Sequence, residues 1–143
     1  MGTKKFSKEL HDKYDKIGKK TVIKWICENS EFTAIENPDR FGIDLIIYKG
    51  DKEYAYAEVE VRPAWEGMVF KYDDLNVPYR KVKYFSPKKK CLFFAINKNL
   101  TAMFFCSGKK VLESPSAILD NKYEKNEKFF KVKLSDLRYK ELK

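Results

Sequence analysis

Hydrophobic and polar residues alternate over residues 53–62, and this alternation is the clearest structural pattern in the chain. One face of the predicted strand carries Ala55, Ala57, Val59 and Val61, and the other carries Tyr56, Glu58, Glu60 and Arg62. Residues 41–48 form a dense apolar run that only Asp44 interrupts. Because residues 49–52 supply a glycine-containing turn between the two runs, the pattern predicts a β-hairpin, with Asp44 inside its first strand and roughly opposite residues 57 and 58.

Periodicity also predicts the elements around the hairpin. A stripe at helical spacing indicates a helix over residues 6–28, although Gly18 weakens its middle; the stripe consists of Phe6, Leu10, Tyr14, Ile17, Val22 and Ile26. Residues 31–36 are predicted as a first strand. Pro63, Gly67 and Pro78 indicate a loop-rich stretch after the hairpin.

The second half of the chain predicts shorter elements. A short helix is expected from Pro78 to Phe85, capped by Asn76. The further expectations are strands at 91–96, 102–106 and 129–134, a helix at 114–119, and a terminal helix capped by Ser135. The predicted fold class is therefore mixed α/β, with a helix, a three-stranded antiparallel unit, a second helix and further strands.

Composition narrows the class of protein. The chain has 143 residues, 43% of them hydrophobic, with eleven Phe and nine Tyr, which is enough to build the core of one domain over residues 1–143. A net charge of +9 favours a polyanionic partner, and DNA more than a membrane. Since no apolar run approaches the ~20 residues that span a bilayer and the N-terminus lacks a signal-peptide pattern, we expect a cytoplasmic protein.

Several chemistries lack their essential residues. The single histidine, His11, lies among charged residues, which disfavours His-based nucleases, zinc proteases and Ser-His-Asp enzymes. Cys27, Cys91 and Cys106 are widely spaced among apolar neighbours, so we expect reduced core residues rather than disulfides or a zinc site. No glycine-rich phosphate loop is present.

The hairpin places three acids close together. Glu58 and Glu60 share a strand face, and Asp44 faces them from the neighbouring strand. Like charges in one small area repel, and a divalent cation such as Mg²⁺ or Mn²⁺ would relieve the repulsion because it prefers carboxylate ligands. The alternative is a solvated face whose acids are balanced by lysines from elsewhere in the chain.

Asp44 followed fourteen positions later by Glu58-Val59-Glu60 resembles the PD-(D/E)XK nuclease superfamily, in which a hairpin presents an Asp and a (D/E)-x-K motif to a metal ion. The resemblance implies a restriction-endonuclease-like core. Two departures stand out: Glu60 occupies the usual lysine position, and a second register, Glu60-Val61-Arg62, keeps a cation at the last position. Pro38-Asp39 is a literal Pro-Asp pair, but it lies in a predicted turn, so we favour Asp44.

The resemblance implies a metal-dependent endonuclease that hydrolyses DNA phosphodiester bonds. Asp44 and Glu58 would hold Mg²⁺ or Mn²⁺, and Glu60 would ligate it or orient a second ion or a water. Arg62 would neutralise the phosphate or hold the strand in register, with Lys81 as a candidate helper. In this superfamily a helix after the strand sometimes supplies the missing lysine, and here Lys81 or Arg80 would do so. Because two strands of a duplex need two active sites, a homodimer is expected.

Basic residues cluster after the acidic strand. The predicted nucleic-acid contacts are Arg80, Lys81, Lys83, Lys88, Lys89 and Lys90, whose alternative role is a solvated surface. The aromatic residues Trp65, Phe70 and Tyr72 favour core packing over base stacking. Two rival functions stay open: a non-catalytic nucleic-acid-binding module on the same scaffold, and an inhibitor or adaptor that binds another protein.

Overall fold

The structure is a computed structural model that describes residues 8–39, 42–85, 90–119 and 127–142. Phe6, Lys88 and Lys89, which the sequence analysis singled out, lie outside these residues. The elements in chain order are α1 (Lys8–Asn29), β1 (Thr33–Glu36), β2 (Leu45–Lys49), β3 (Lys52–Arg62), β4 (Asp74–Pro78), the 3₁₀ helix η1 (Tyr79–Tyr84), β5 (Cys91–Asn97), β6 (Ala102–Ser107), α2 (Gly108–Glu113), β7 (Ser116–Leu119), β8 (Glu127–Lys133), the 3₁₀ turn η2 (Leu134–Asp136) and β9 (Arg138–Glu141).

A six-stranded mixed sheet forms the centre of the fold. Its strand order is β1-β2-β3-β5-β6-β9, and β3 and β5 are its parallel pair. The predicted hairpin is confirmed: β2 and β3 pair antiparallel across a turn at Gly50, whose φ of +63° favours glycine. Since a parallel pair needs a crossover connection, the chain between β3 and β5 leaves the sheet and carries β4 and η1 across one of its faces.

Helix α1 covers one face of the central sheet, as the apolar stripe predicts. Its buried residues pack on the small side chains of β3, including Ala57 and Val59. Gly18 lies at the closest approach, because a Cβ there would be 2.7 Å from Cγ2 of Val61. The glycine that weakens the helix in the sequence is therefore the residue that lets α1 approach the sheet.

A second sheet covers the opposite face. It has the order β4-β8-β7 with antiparallel pairs, and its buried residues form a second core with η1 and the reverse face of β5. The buried members include Leu75, Val77, Phe85, Phe93, Phe130 and Val132. Both faces of β3 are thus covered, which explains why an acidic residue on it can be buried.

Two predictions of local structure are wrong and two are right only in part. The predicted helix at 114–119 is instead strand β7 (Ser116–Leu119), and the chain after Ser135 forms β9 rather than a terminal helix. The predicted loop-rich stretch contains strand β4. The helix after Pro78 is a 3₁₀ helix without a side-chain cap, because Asn76 belongs to β4.

Most predicted core residues are buried, with two exceptions among the aromatic and cysteine residues. Trp65 is buried and stacks on Phe104 at 5.1 Å between ring centroids, whereas Tyr72 is exposed. Cys91 and Cys106 are buried free thiols, and burial raises the pKa of each to about 12. Cys27 is exposed, so the expectation of a core cysteine is wrong there. Within the described ranges, no helix has the length and apolar character to cross a membrane.

Candidate active site

Asp44 and Glu58 are joined through the backbone of the hairpin. Leu45 pairs with Ala57, which brings the residue before β2 beside Glu58. The amide of Asp44 donates to Glu58 Oε2 at 2.8 Å, and the amide of Val59 donates to Asp44 Oδ2 at 2.9 Å. The predicted juxtaposition is confirmed, although Asp44 lies in a bend just before β2 and not inside the strand. The Asp44 side chain points to the backbone of the hairpin because its carboxylate accepts the hydrogen bond from the Val59 amide.

Lys81 meets Glu58 from the opposite side. Its Nζ lies 2.7 Å from Glu58 Oε1, so the lysine of η1 forms a hydrogen-bonded ion pair with the acid of β3. Glu58 is 2% exposed and the side chain of Lys81 is 17% exposed. A buried charge requires such a partner, since an unpaired carboxylate in this position would cost several kcal/mol.

Burial and neighbouring charges perturb both members of this pair. Burial raises the pKa of Glu58 to about 7, with Lys81 opposing the shift and the Asp44 carboxylate adding to it. For Lys81, burial lowers the pKa, but the carboxylates of Glu58, Glu60 and Asp44 outweigh it and the net pKa is raised. The ammonium of Lys81 therefore lies in the field of all three acids predicted from the sequence.

A second lysine, Lys19, approaches Asp44 from α1, and sequence reasoning missed it. Its Nζ lies 3.0 Å from Asp15, 3.7 Å from Glu36 and 3.5 Å from Asp44 Oδ1, with 16% of the side chain exposed. Burial lowers the pKa of Lys19, but the three carboxylates raise it by more than burial lowers it. The net pKa therefore lies above its usual value. No sequence pattern distinguishes Lys19 from the other lysines of α1, and the packing of α1 identifies it.

Glu60 turns away from this pair and contacts Arg62. Nε of Arg62 lies 2.8 Å from Glu60 Oε1 as an ion pair without hydrogen-bond alignment, and its Nη2 donates to the carbonyl oxygen of Asn76 in β4. Arg62 thereby connects the central sheet to the second sheet. Within the described part of the chain, Glu60 Oε2 and Asn76 Oδ1 are buried without a hydrogen-bond partner.

The donor set was compared with the requirements of a divalent cation. Among residues 8–39, 42–85, 90–119 and 127–142, no three His, Cys, Asp or Glu side chains form a group that could hold a metal ion. Asp44 and Glu58 do stand side by side, and Mg²⁺ is commonly held by one or two carboxylates plus waters and substrate phosphates. The described residues therefore offer two neighbouring acids, Asp44 and Glu58, while Glu60 is engaged by Arg62.

The predicted nucleic-acid contacts that the structure describes occupy different environments. Lys81 points inward to Glu58, whereas Arg80 is exposed and pairs with Glu127 at 2.7 Å. Lys83 is exposed with its Nζ 5.0 Å from the centroid of the Tyr84 ring. Lys90 is exposed and donates to the hydroxyl of Tyr54 at 2.8 Å. Three of the predicted cations therefore face solvent. The fourth, Lys81, belongs with Asp44 and Glu58 to what we call the acidic centre.

Comparisons of the chain with protein-family models, with curated proteins and with solved structures found no match.

Proposed function

We propose that the protein is a metal-dependent endonuclease that hydrolyses DNA phosphodiester bonds at Asp44, Glu58 and Lys81. The observation that carries this proposal is the 2.7 Å contact between Lys81 and Glu58 beside Asp44. The motif position that holds lysine in PD-(D/E)XK nucleases holds Glu60 here, and the contact supplies an ammonium to the acidic pair from η1 instead. The order of helix, antiparallel hairpin and parallel strand also supports a nuclease-like core.

Each side chain has a role that follows from its contacts. Asp44 and Glu58 would hold Mg²⁺ or Mn²⁺, which when bound lowers the pKa of a coordinated water and offsets charge on the phosphate. The ammonium of Lys81 would stabilise the negative charge that develops on the phosphate during attack. Lys19 would keep Asp44 oriented, because it holds the carboxylate oxygen that the Val59 amide leaves free.

The contacts favour one of the two motif registers. Arg62 is held by Glu60 and by the carbonyl of Asn76, which leaves its guanidinium committed to joining the two sheets. We therefore propose that Glu58 and Glu60 occupy the motif positions and that Arg62 acts as a structural anchor. The Glu60→Lys, Lys81→Met double variant tests this register, because a lysine returned to position 60 would restore part of the activity lost in Lys81→Met.

The direct test is cleavage of supercoiled, linear, single-stranded and branched DNA with Mg²⁺, Mn²⁺ or a chelator. Asp44→Asn, Glu58→Gln and Lys81→Met should each lower the rate by about 100-fold or more, which is typical when a group that stabilises transition-state charge is removed. Lys109→Met on α2 is the control and should leave the rate unchanged, because Lys109 is exposed and is not among the predicted DNA contacts. Melting curves establish that each variant folds. Wild-type cleavage rates in Asp44→Asn would overturn the assignment.

A specific observation favours a second function, a non-catalytic nucleic-acid-binding module. Protein cations already neutralise all three acids: Lys19 for Asp44, Lys81 for Glu58 and Arg62 for Glu60. A binding module would retain salt-sensitive DNA binding in the presence of chelator and would show no cleavage on any substrate with either metal. The same set of reactions therefore separates the two functions.

A further inference from the structure

Glu60 presents a buried acceptor that no described residue uses. Its Oε1 faces Arg62, but its Oε2 has no hydrogen-bond partner within the described chain. Buried carboxylate oxygens are normally paired, because an unsatisfied charged acceptor costs more than a neutral one. This oxygen lies beside an ion-pair network, so it is an acceptor that a neighbouring cation can take up.

Besides Arg62, Lys81 is a cation whose ammonium the Glu60 carboxylate influences. Glu58 and Glu60 lie on the same face of β3, and same-face neighbours in a strand are about 6–7 Å apart. A lysine side chain has a flexible four-carbon stem and three N–H donors. Among the described residues, Lys81 donates one hydrogen bond, to Glu58. After Glu58, the carboxylate with the largest influence on the Lys81 ammonium is Glu60.

We propose that Lys81 alternates between two partners, Glu58 Oε1 and Glu60 Oε2, and that Glu60 is a positioning residue that receives the ammonium when Glu58 is engaged by a cation. This inference rests on the proposed function only for the identity of that cation. It also explains the acid at the motif's lysine position, because Glu60 keeps the lysine of η1 within the site after it leaves Glu58. A lysine at position 60 would repel Lys81 instead.

The decisive experiment is carried out without metal, so its result is independent of any cleavage. Glu58→Gln removes the charge from the first partner while keeping its shape, and in the presence of chelator Lys81 should then turn to the charged acceptor. A crystal structure of this variant should place Lys81 Nζ within about 3.2 Å of Glu60 Oε2. Nζ retained at the side chain of position 58, or turned to solvent, would overturn the proposal.

A double-mutant cycle of thermal stability gives a second readout that does not depend on obtaining crystals. Lys81→Met is combined with Glu60→Gln in the wild-type and in the Glu58→Gln background, and the melting midpoints are compared. The non-additive shift between positions 60 and 81 should be larger in the Glu58→Gln background, because Lys81 and Glu60 interact directly there. Lys83→Met replaces Lys81→Met in the control cycle and should add independently. Equal coupling between positions 60 and 81 in both backgrounds would refute the proposal that Lys81 moves to Glu60.

The cleavage assay of the wild type stands apart from these two readouts. If the metal-free tests succeed but the protein cleaves no DNA, the alternation of Lys81 between two partners stands and the endonuclease function is overturned. A protein that cleaves DNA but holds Lys81 at position 58 in the variant would keep the endonuclease and lose the role of Glu60.

Discussion

At the scale of single residues, the acidic centre combines a buried carboxylate with a lysine that neutralises it. Glu58 can be identified from the sequence because it is an acidic residue on the polar face of the alternating strand β3. Asp44 can be identified because it interrupts an apolar run. Lys19 and the contact of Lys81 could not be identified, because a flexible lysine reaches several positions and spacing along the chain does not show which one. Sequence patterns thus locate the acids but not their counter-ions.

The raised pKa of Glu58 predicts a pH dependence of stability. The folded-state pKa of about 7 lies above the ordinary value of 4.5, so the folded protein binds more protons than the unfolded chain between these pH values. The stability contributed by this group is complete below about pH 4.5 and is lost as the pH rises through 7. At about 1.4 kcal/mol per pKa unit, the loss is of the order of 3 kcal/mol.

Urea unfolding in chelator at intervals from pH 4.5 to pH 8 checks this expectation. Glu58→Gln should remove most of the decline, since an amide does not titrate. The groups around Glu58 are Lys81 of η1, Asp44 before β2 and Cys91 of β5, and all three residues are left unchanged in the variant. Glu113→Gln, with its side chain half exposed, is the control and should keep the wild-type profile. Parallel curves for wild type and Glu58→Gln would contradict the prediction.

At the scale of elements, the sequence predicts those whose apolar pattern is strong. Helix α1, the hairpin, β5, β6 and β8 were predicted because each has a periodic or continuous apolar signal. The sequence does not predict β9 because all four of its residues are exposed, and pairing with β6 together with the contact of Tyr139 on Phe104 makes it a strand. β7 was read as a helix because a four-residue segment is too short for its period to be defined, and pairing with β8 decides its conformation.

The contact between α1 and β3 yields a prediction about Gly18. Alanine there should raise helix propensity by up to about 1 kcal/mol, but its Cβ would lie 2.7 Å from Val61 Cγ2. Overpacking of this kind costs about 1–3 kcal/mol, so with the propensity gain subtracted we expect Gly18→Ala to lower the free energy of unfolding by up to about 2 kcal/mol.

Val61→Ala supplies the matched control, because it removes the methyl group that an alanine at position 18 would meet. In that background Gly18→Ala should cost much less, and the difference between the two costs measures the contact in a double-mutant cycle by urea unfolding. Equal costs in both backgrounds would show that α1 does not approach the sheet as closely as the structure places it.

At the scale of the whole molecule, an excess of positive charge surrounds a small acidic centre. The net charge of +9 suits a polyanion, whereas the centre requires its own cations to remain buried. Of the cations predicted to contact DNA, Arg80, Lys83 and Lys90 are exposed, so they are free to meet phosphates without disturbing Glu58. Binding and chemistry are thus assigned to different side chains and can be tested separately.

The last prediction concerns the salt dependence of DNA binding in the presence of chelator. The logarithm of the affinity for duplex DNA should fall linearly with the logarithm of salt concentration, by about 0.9 per neutralised phosphate. Replacing Arg80 and Lys83 together by alanine should reduce this slope by about 1–2, with the smaller share from Arg80, because Glu127 competes for its guanidinium. Lys109→Ala on α2 is the control, since its side chain is also exposed but lies on a different element. Asp44→Asn should leave the slope unchanged, because the role proposed for this carboxylate is in chemistry and not in phosphate contacts. A slope unaltered by the Arg80 and Lys83 double variant would move the binding face away from η1, and Lys90 beside Tyr54 would be the next position to replace.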